Sequence, residues 1–214
     1  MSIFVDIHTH SFTSPSNLNI RNLSFPEVEL LLQTSEKDLF SLGFHPWFAN
    51  DYTLELMTKM ENWVADKRIV AIGECGLDKN CQVDFEKQLL VFEKQIVLSE
   101  KIEKPLIIHC VGCFNELFEL NKKWNPQQTW VIHGFRGKPE LAVQALKNGC
   151  SLSYGEHFNT ESVRITPIEK LFVETDESKL GIDEIYKNIA VIKGCKVEEL
   201  TAGFTFLSPY LSIL

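Results

Sequence analysis

What this chain lacks narrows the reading first. No apolar run approaches the ~20 residues that a membrane-crossing helix needs. The first residues do not follow the basic, then apolar, then small-residue order of a secretory signal, so the expected compartment is the cytoplasm. Basic charge is short: 21 Lys and Arg stand against 29 Asp and Glu, a formal net charge of −8. Sequence-independent binding along a duplex needs a basic face. A small substrate or a terminally bound one therefore fits better than a long duplex tracked along a groove. The cysteines are few and scattered (Cys75, Cys81, Cys110, Cys113, Cys150, Cys195), and are expected as free, buried thiols. Cys110 and Cys113 form a C-x-x-C directly after His109, either a redox pair or half a zinc site, but no second pair completes a four-thiolate site. Internal repeats and low-complexity segments are absent.

What is present reads as a soluble globular protein: 44% apolar residues with 15 Phe, and 214 residues, enough for one domain (1–214) with a large core. Short apolar runs alternate with amphipathic ones. Strands are expected at the N-terminal ten residues, Leu18–Phe25, Leu39–Trp47, Ile69–Gly73, Pro105–Cys110, Thr129–His133, Cys150–Tyr154 and Leu171–Val173. Helices are expected at Tyr52–Lys67, Phe85–Lys101, Phe114–Lys122, from Lys138-Pro139 to Gly149, Ile182–Lys193 and Val197–Phe206. Pro26–Ser35 reads equally as a short helix or an extra strand. The alternation argues for a parallel sheet flanked by helices, and up to eight strands at this length suit a TIM-like (β/α)8 barrel. An open doubly wound sheet is the runner-up. The barrel is preferred because polar residues end many different strands, and a barrel brings all those ends together. No helix fits between the first two strands, which predicts a distorted or incomplete barrel there.

The polar residues at the strand ends carry the chemistry. His8 and His10 sit two apart on an extended chain and point to the same side. His109 and His133 also end apolar runs, as do Glu74 and Asp176. Four of the chain's six histidines thus lie where packing alone gives imidazole no partner. Four imidazoles and two carboxylates can hold two divalent ions, with one carboxylate bridging. Such a pair activates a water and stabilises charge on the substrate oxygen.

The motifs Asp6-Ile7-His8-Thr9-His10, Gly43-Phe44-His45-Pro46, Ala71-Ile72-Gly73-Glu74-Cys75-Gly76-Leu77-Asp78, Ile108-His109, His133-Gly134-Phe135-Arg136-Gly137 and Glu174-Thr175-Asp176-Glu177-Ser178 occur in one order across most of the chain. In these the sequence resembles the TatD-type metal-dependent hydrolases, a branch of the amidohydrolase-like barrels. The resemblance implies that His8, His10, Glu74 and Asp176 hold one metal and that Glu74, His109 and His133 hold the other, with Glu74 bridging. It makes Asp176 the acceptor of the attacking water's proton. It implies a phosphodiester substrate, DNA attacked from an end, with Mg, Mn or Zn as cofactor, and no membrane or obligate protein partner. Arg136 and His45 are the candidate substrate-binding residues. Asp78 either lines the site or caps a turn.

The chain also departs from the family. Val111 stands where a basic residue is usual, two after His109. Gly203-Phe204-Thr205 stands where an Asn usually precedes the final helix. Two rivals remain: a two-metal enzyme cleaving an amide or ester of a small metabolite, and a non-catalytic metal-binding relative.

Overall fold

The computed structural model describes residues 4–11, 17–34, 38–201, 203, 204 and 207. Most of the stretch between the first two expected strands, residues 12–16, lies outside the description. Of the helix expected at Val197–Phe206, Val197–Thr201 is a 3-10 helix, and residues 202, 205 and 206 lie outside the description.

Eight strands form one sheet in chain order: β1 (Val5–Thr9), β2 (Leu18–Leu23), β3 (Leu39–Leu42), β4 (Ile69–Asp78), β5 (Leu106–Val111), β6 (Trp130–Ile132), β7 (Ser151–Tyr154) and β8 (Leu171–Val173). From β2 onward each strand is followed by a helix. These are α1 (Val28–Thr34), α2 (Leu54–Trp63), α3 (Phe85–Ile102), α4 (Phe114–Trp124), α5 (Pro139–Lys147), α6 (Thr160–Ile165) and α7 (Ile182–Lys193). A parallel bridge between Thr9 and Asp176 returns the last strand to the first. This is the order of a (β/α)8 barrel. Among the described residues no helix joins β1 to β2, as the short connection predicts. Leu18 N–H donates to the Phe4 carbonyl at 2.9 Å, so β2 starts beside the start of β1, as parallel strands require.

Contacts group the chain into two compact units, residues 1–20 with 131–214, and residues 21–130. In the first unit α7 packs Ile182, Ile185, Tyr186, Ile189 and Ala190 inward and ends at Gly194, whose φ of 62° suits the left-handed cap that glycine adopts without strain. The buried Tyr186 hydroxyl donates to the Val5 carbonyl at 2.8 Å, tying α7 to β1. The short helix α6 was not legible in the sequence. Asn159 starts it by accepting the Ser162 N–H.

In the second unit β4 is longer than Ile69–Gly73. It runs through Glu74 to Asp78 and is buried along its whole length. The β4–β5 register shifts between Ile72 and Cys75, and beyond the shift Gly76 lies opposite His109. Such an irregularity re-aims the side chains beside it, here Glu74. Within the ambiguous Pro26–Ser35 stretch, residues 26–34 are helical, a 3-10 turn at Phe25–Glu27 leading into α1, and Ser35 lies outside the described residues. The strand expected over Leu39–Trp47 stops at Leu42, because Pro46 opens a 3-10 turn, Pro46–Asp51.

Helix α3 holds an unforeseen arrangement. Phe92 and Ile96 face inward as their spacing predicts, but so do Gln88 and Gln95, two turns apart and buried. None of the six cysteines is in a disulfide, and Cys75, Cys113 and Cys150 are buried. Among the described residues, no helix is long and apolar enough to cross a membrane.

Candidate metal centre

Unit one gathers four of the residues expected to bind metal. His8 is fully buried in β1, and Asp176 follows β8. Asp176 Oδ1 lies 3.7 Å from His8 Nε2 and 3.6 Å from His10 Nε2. The backbone enforces the meeting: Asp176 N–H donates to the His8 carbonyl at 2.9 Å, and His10 N–H donates to the Asp176 carbonyl at 3.3 Å. Asp176 takes a φ of 54°, a left-handed conformation that Asp tolerates better than most residues. His8, His10 and Asp176 each offer a ligand atom within 4.8 Å of the others, and so do His133, Glu174 and Asp176.

Glu174 was quoted in a motif but not expected in the site. It is fully buried, its Oε1 accepts the Gly134 N–H at 2.6 Å, and His133 Nδ1 lies 3.5 Å away. Burial alone would raise its pKa. Hydrogen bonding to His133 and the nearness of His133 and His8 outweigh that and hold the carboxyl below its usual range. A carboxylate kept ionised in a buried place beside two imidazoles is suited to orienting a metal-ligating histidine.

A cavity of about 390 Å³ opens beside these residues, lined by Arg136, His157, Glu174, Asp176, Ser178 and Lys179 among others. The expected substrate residue Arg136 therefore shares a cavity with the expected proton acceptor. His157 and Lys179 had not been singled out as substrate contacts. Their place in the cavity comes from loops folding together, which spacing does not reveal.

Unit two gathers Glu74, His109 and His45, again with ligand atoms within 4.8 Å of one another. Glu74 Oε1 lies 2.8 Å from His109 Nδ1 and 3.1 Å from His45 Nε2. His45 Nδ1 accepts the Trp47 N–H at 3.2 Å, which leaves Nε2 as the protonated nitrogen facing Glu74. His109 Nε2 lies 3.1 Å from Asp78 Oδ2. A neutral imidazole carries one N–H, so with Nε2–H on Asp78 the lone pair of Nδ1 is directed to the Glu74 side. A cation held by Glu74 would take that lone pair, and the donor set fits a divalent ion in this way.

Asp78 thus does more than cap a turn. It accepts the Trp47 indole N–H at 2.7 Å and the Asn80 N–H at 2.7 Å as well as meeting His109. Burial opposes its charge, but these bonds prevail and its pKa is lowered. The polar residues behind the cluster were not legible either. Asn22 Oδ1 accepts the Glu74 N–H at 2.6 Å. The Gln88 amide exchanges two bonds with the Asp78 backbone, at 2.8 and 3.0 Å. Gln95 does the same for Phe44, next to His45, at 2.7 and 3.1 Å.

The C-x-x-C pair shows no zinc-site geometry of its own: Cys113 donates its thiol to the Val111 carbonyl at 2.9 Å, and neither cysteine belongs to a metal-sized cluster among the described residues.

Comparison with known proteins shows the family and the fold. Residues 5–203 match the family model described as TatD related DNase, so the chain belongs to that family. It is 26% identical over 188 residues to a 3'-5' ssDNA/RNA exonuclease TatD of Erwinia amylovora, a match covering 75% of this chain and 72% of that one. It is 31% identical over 179 residues to Deoxyribonuclease Tat-D of Schizosaccharomyces pombe, covering 72% of this chain but 56% of the relative. Among solved structures, the TatD homologue YJJV of Escherichia coli superposes with a TM-score of 0.82 at 19% identity, over 95% of this chain and 96% of that one. That likeness shows the barrel fold.

Proposed function

We propose that this chain is a divalent-metal-dependent hydrolase that cleaves phosphodiester bonds, acting from an end of a single-stranded nucleic acid. The ligands are the six residues expected from the sequence: His8, His10 and Asp176, with His133, in the first unit, and Glu74 and His109 in the second. One observation carries this reading. His8, His10 and Asp176 in the first unit, and Glu74 and His109 with the neighbouring His45 in the second, bring ligand atoms to within 4.8 Å of one another, the spacing that ligands of one ion share. Relatives named as nucleases support the choice of bond.

Two bound ions would lower the pKa of a water and offset negative charge on the phosphate oxygens. Imidazole donors suit Zn²⁺ or Mn²⁺, while the carboxylates also accept Mg²⁺. The protein's own groups do the rest. Asp176, partly exposed to the cavity, takes the proton of the attacking water. Arg136 on the same cavity grips a phosphate through its planar fork of donors. Asp78 and Glu174 hold His109 and His133 in place. The net charge of −8 opposes a long polyanion lying along the surface, which favours engagement of an end.

The test is metal stoichiometry by elemental analysis, together with turnover of a short single-stranded oligonucleotide. Wild type should bind two ions per chain and lose turnover with chelator. Glu74→Ala should stay folded with turnover reduced at least 100-fold. Cleavage of amides or lactones without phosphodiester turnover would replace the nuclease reading, and metal-free, inactive wild type would end it.

A further inference from the structure

Two large aromatic side chains stand in solvent directly beside the Glu74 cluster, and the mechanism above gives them no work. Trp47 is 55% exposed and Phe48 57% exposed, both on the turn that follows His45. The Trp47 ring centroid lies 4.9 Å from that of His45 and 6.2 Å from that of His109, and Phe48 lies 6.1 Å from His45. Nothing about folding asks for this exposure, since an aromatic ring gains by leaving water. The indole is also held still. Its N–H is spent on Asp78 Oδ2 at 2.7 Å, so its orientation is set by the carboxylate that faces His109.

We infer that Trp47 and Phe48 form a stacking platform for the terminal nucleobase of the single strand whose phosphodiester is cleaved at the adjoining cluster; this rests on the reading proposed above. Charge and size favour this occupant. Two side chains offer far less than the roughly 800 Å² per partner that a stable protein interface buries. A neutral π-face binds a base without the basic groove that this acidic chain lacks, and every base has such a face, so the grip is tolerant of sequence. A ring fixed before binding loses little freedom on stacking.

The experiment compares a short oligonucleotide with one whose terminal residue is abasic, by kcat/KM and, with chelator present, by binding anisotropy. Wild type should favour the base-bearing strand by roughly 5- to 100-fold, the range alanine substitution of stacking rings gives. Trp47→Ala and Phe48→Ala should each erode that preference. Phe48→Ala should do so without changing turnover of the abasic strand. Trp47→Phe keeps a ring but drops the bond to Asp78; it should retain the preference while slowing both strands alike. Equal treatment of the two strands by wild type, or alanine variants that slow both in parallel with the preference intact, overturns the platform. A change of oligomeric state in Trp47→Ala with the preference intact overturns it in favour of a contact between copies. If neither strand is cleaved but the anisotropy preference persists and vanishes in Phe48→Ala, the platform stands and the hydrolase reading fails.

Discussion

The carboxyl of Asp6 and the side chain of Thr175, 169 residues apart in sequence, lock the ends of β1 and β8 together in the buried interior of one unit. Thr175 N–H donates to Asp6 Oδ1 at 3.0 Å, and the Thr175 hydroxyl lies 2.6 Å from Asp6 Oδ2 and 3.0 Å from the Thr9 hydroxyl. One hydroxyl has one proton to give. A proton on Asp6 lets Asp6 donate to Thr175 and Thr175 donate onward to Thr9, which completes the chain. His8 and Asp176 flank this lock on either strand, so it holds the metal ligands in register.

The lock makes stability depend on pH. Burial is the main cause that raises the Asp6 carboxyl from 3.8 to about 7, against the Thr175 bonds that lower it. Between those values the folded protein keeps a proton that the unfolded chain releases. The associated stability is full below about pH 4 and is lost as pH rises through about 7, by at most about 4 kcal/mol. Chemical denaturation of metal-free protein from pH 4 to 8 should show that decline, and Asp6→Asn should flatten it. An unchanged slope in the variant would remove Asp6 as its source.

Asp78→Asn should weaken metal binding by roughly 10- to 100-fold, the usual cost of losing the partner that orients a ligating histidine. Asparagine cannot accept from the Trp47 indole, His109 and the Asn80 N–H together, because one of its two atoms is a donor. Chelator competition measures the effect, and wild-type affinity in the variant would show that His109 is oriented by something else.

Gln95→Leu should cost about 2–4 kcal/mol. Leucine is close in volume but leaves the Phe44 N–H and carbonyl buried without the partner that Gln95 supplies, each at about 1–3 kcal/mol. Urea unfolding is the measurement. A loss under about 1 kcal/mol would mean that water replaces the amide.

Gly76→Ala should disrupt the β4–β5 approach beside His109. Gly76 has a φ of 136°, outside the range of L side chains, and an added Cβ would overlap the His109 carbonyl oxygen. Soluble yield and thermal midpoint should both fall, with a stability loss of more than about 2 kcal/mol. A variant as stable as wild type would show that the strands can separate freely there.

Much of this was legible in the sequence. Apolar runs of strand length, ended by His8, His109 and His133, located three strands. Lys138-Pro139 and Gly194 marked where α5 starts and α7 ends, because proline and glycine act through local backbone geometry. The extension of β4 to Asp78 was hidden, since Glu74, Gly76 and Asp78 read as loop residues until neighbouring strands bury them. Gln88 and Gln95 were hidden for a related reason. A glutamine among apolar residues on a helix looks like surface until a distant backbone N–H and carbonyl require it.

By itself the sequence determined which residue types could ligate a metal, and that they end separate strands of an alternating α/β chain. Periodicity and turn chemistry act over a few residues, so one chain carries them in plain view. Tertiary structure alone decided which groups support those ligands: Asp78 behind His109, Glu174 behind His133, Asp6 against Thr175. Each of these contacts joins segments that approach one another only when the strands pair and bury them. The energy of a buried carboxylate depends on what that pairing places beside it.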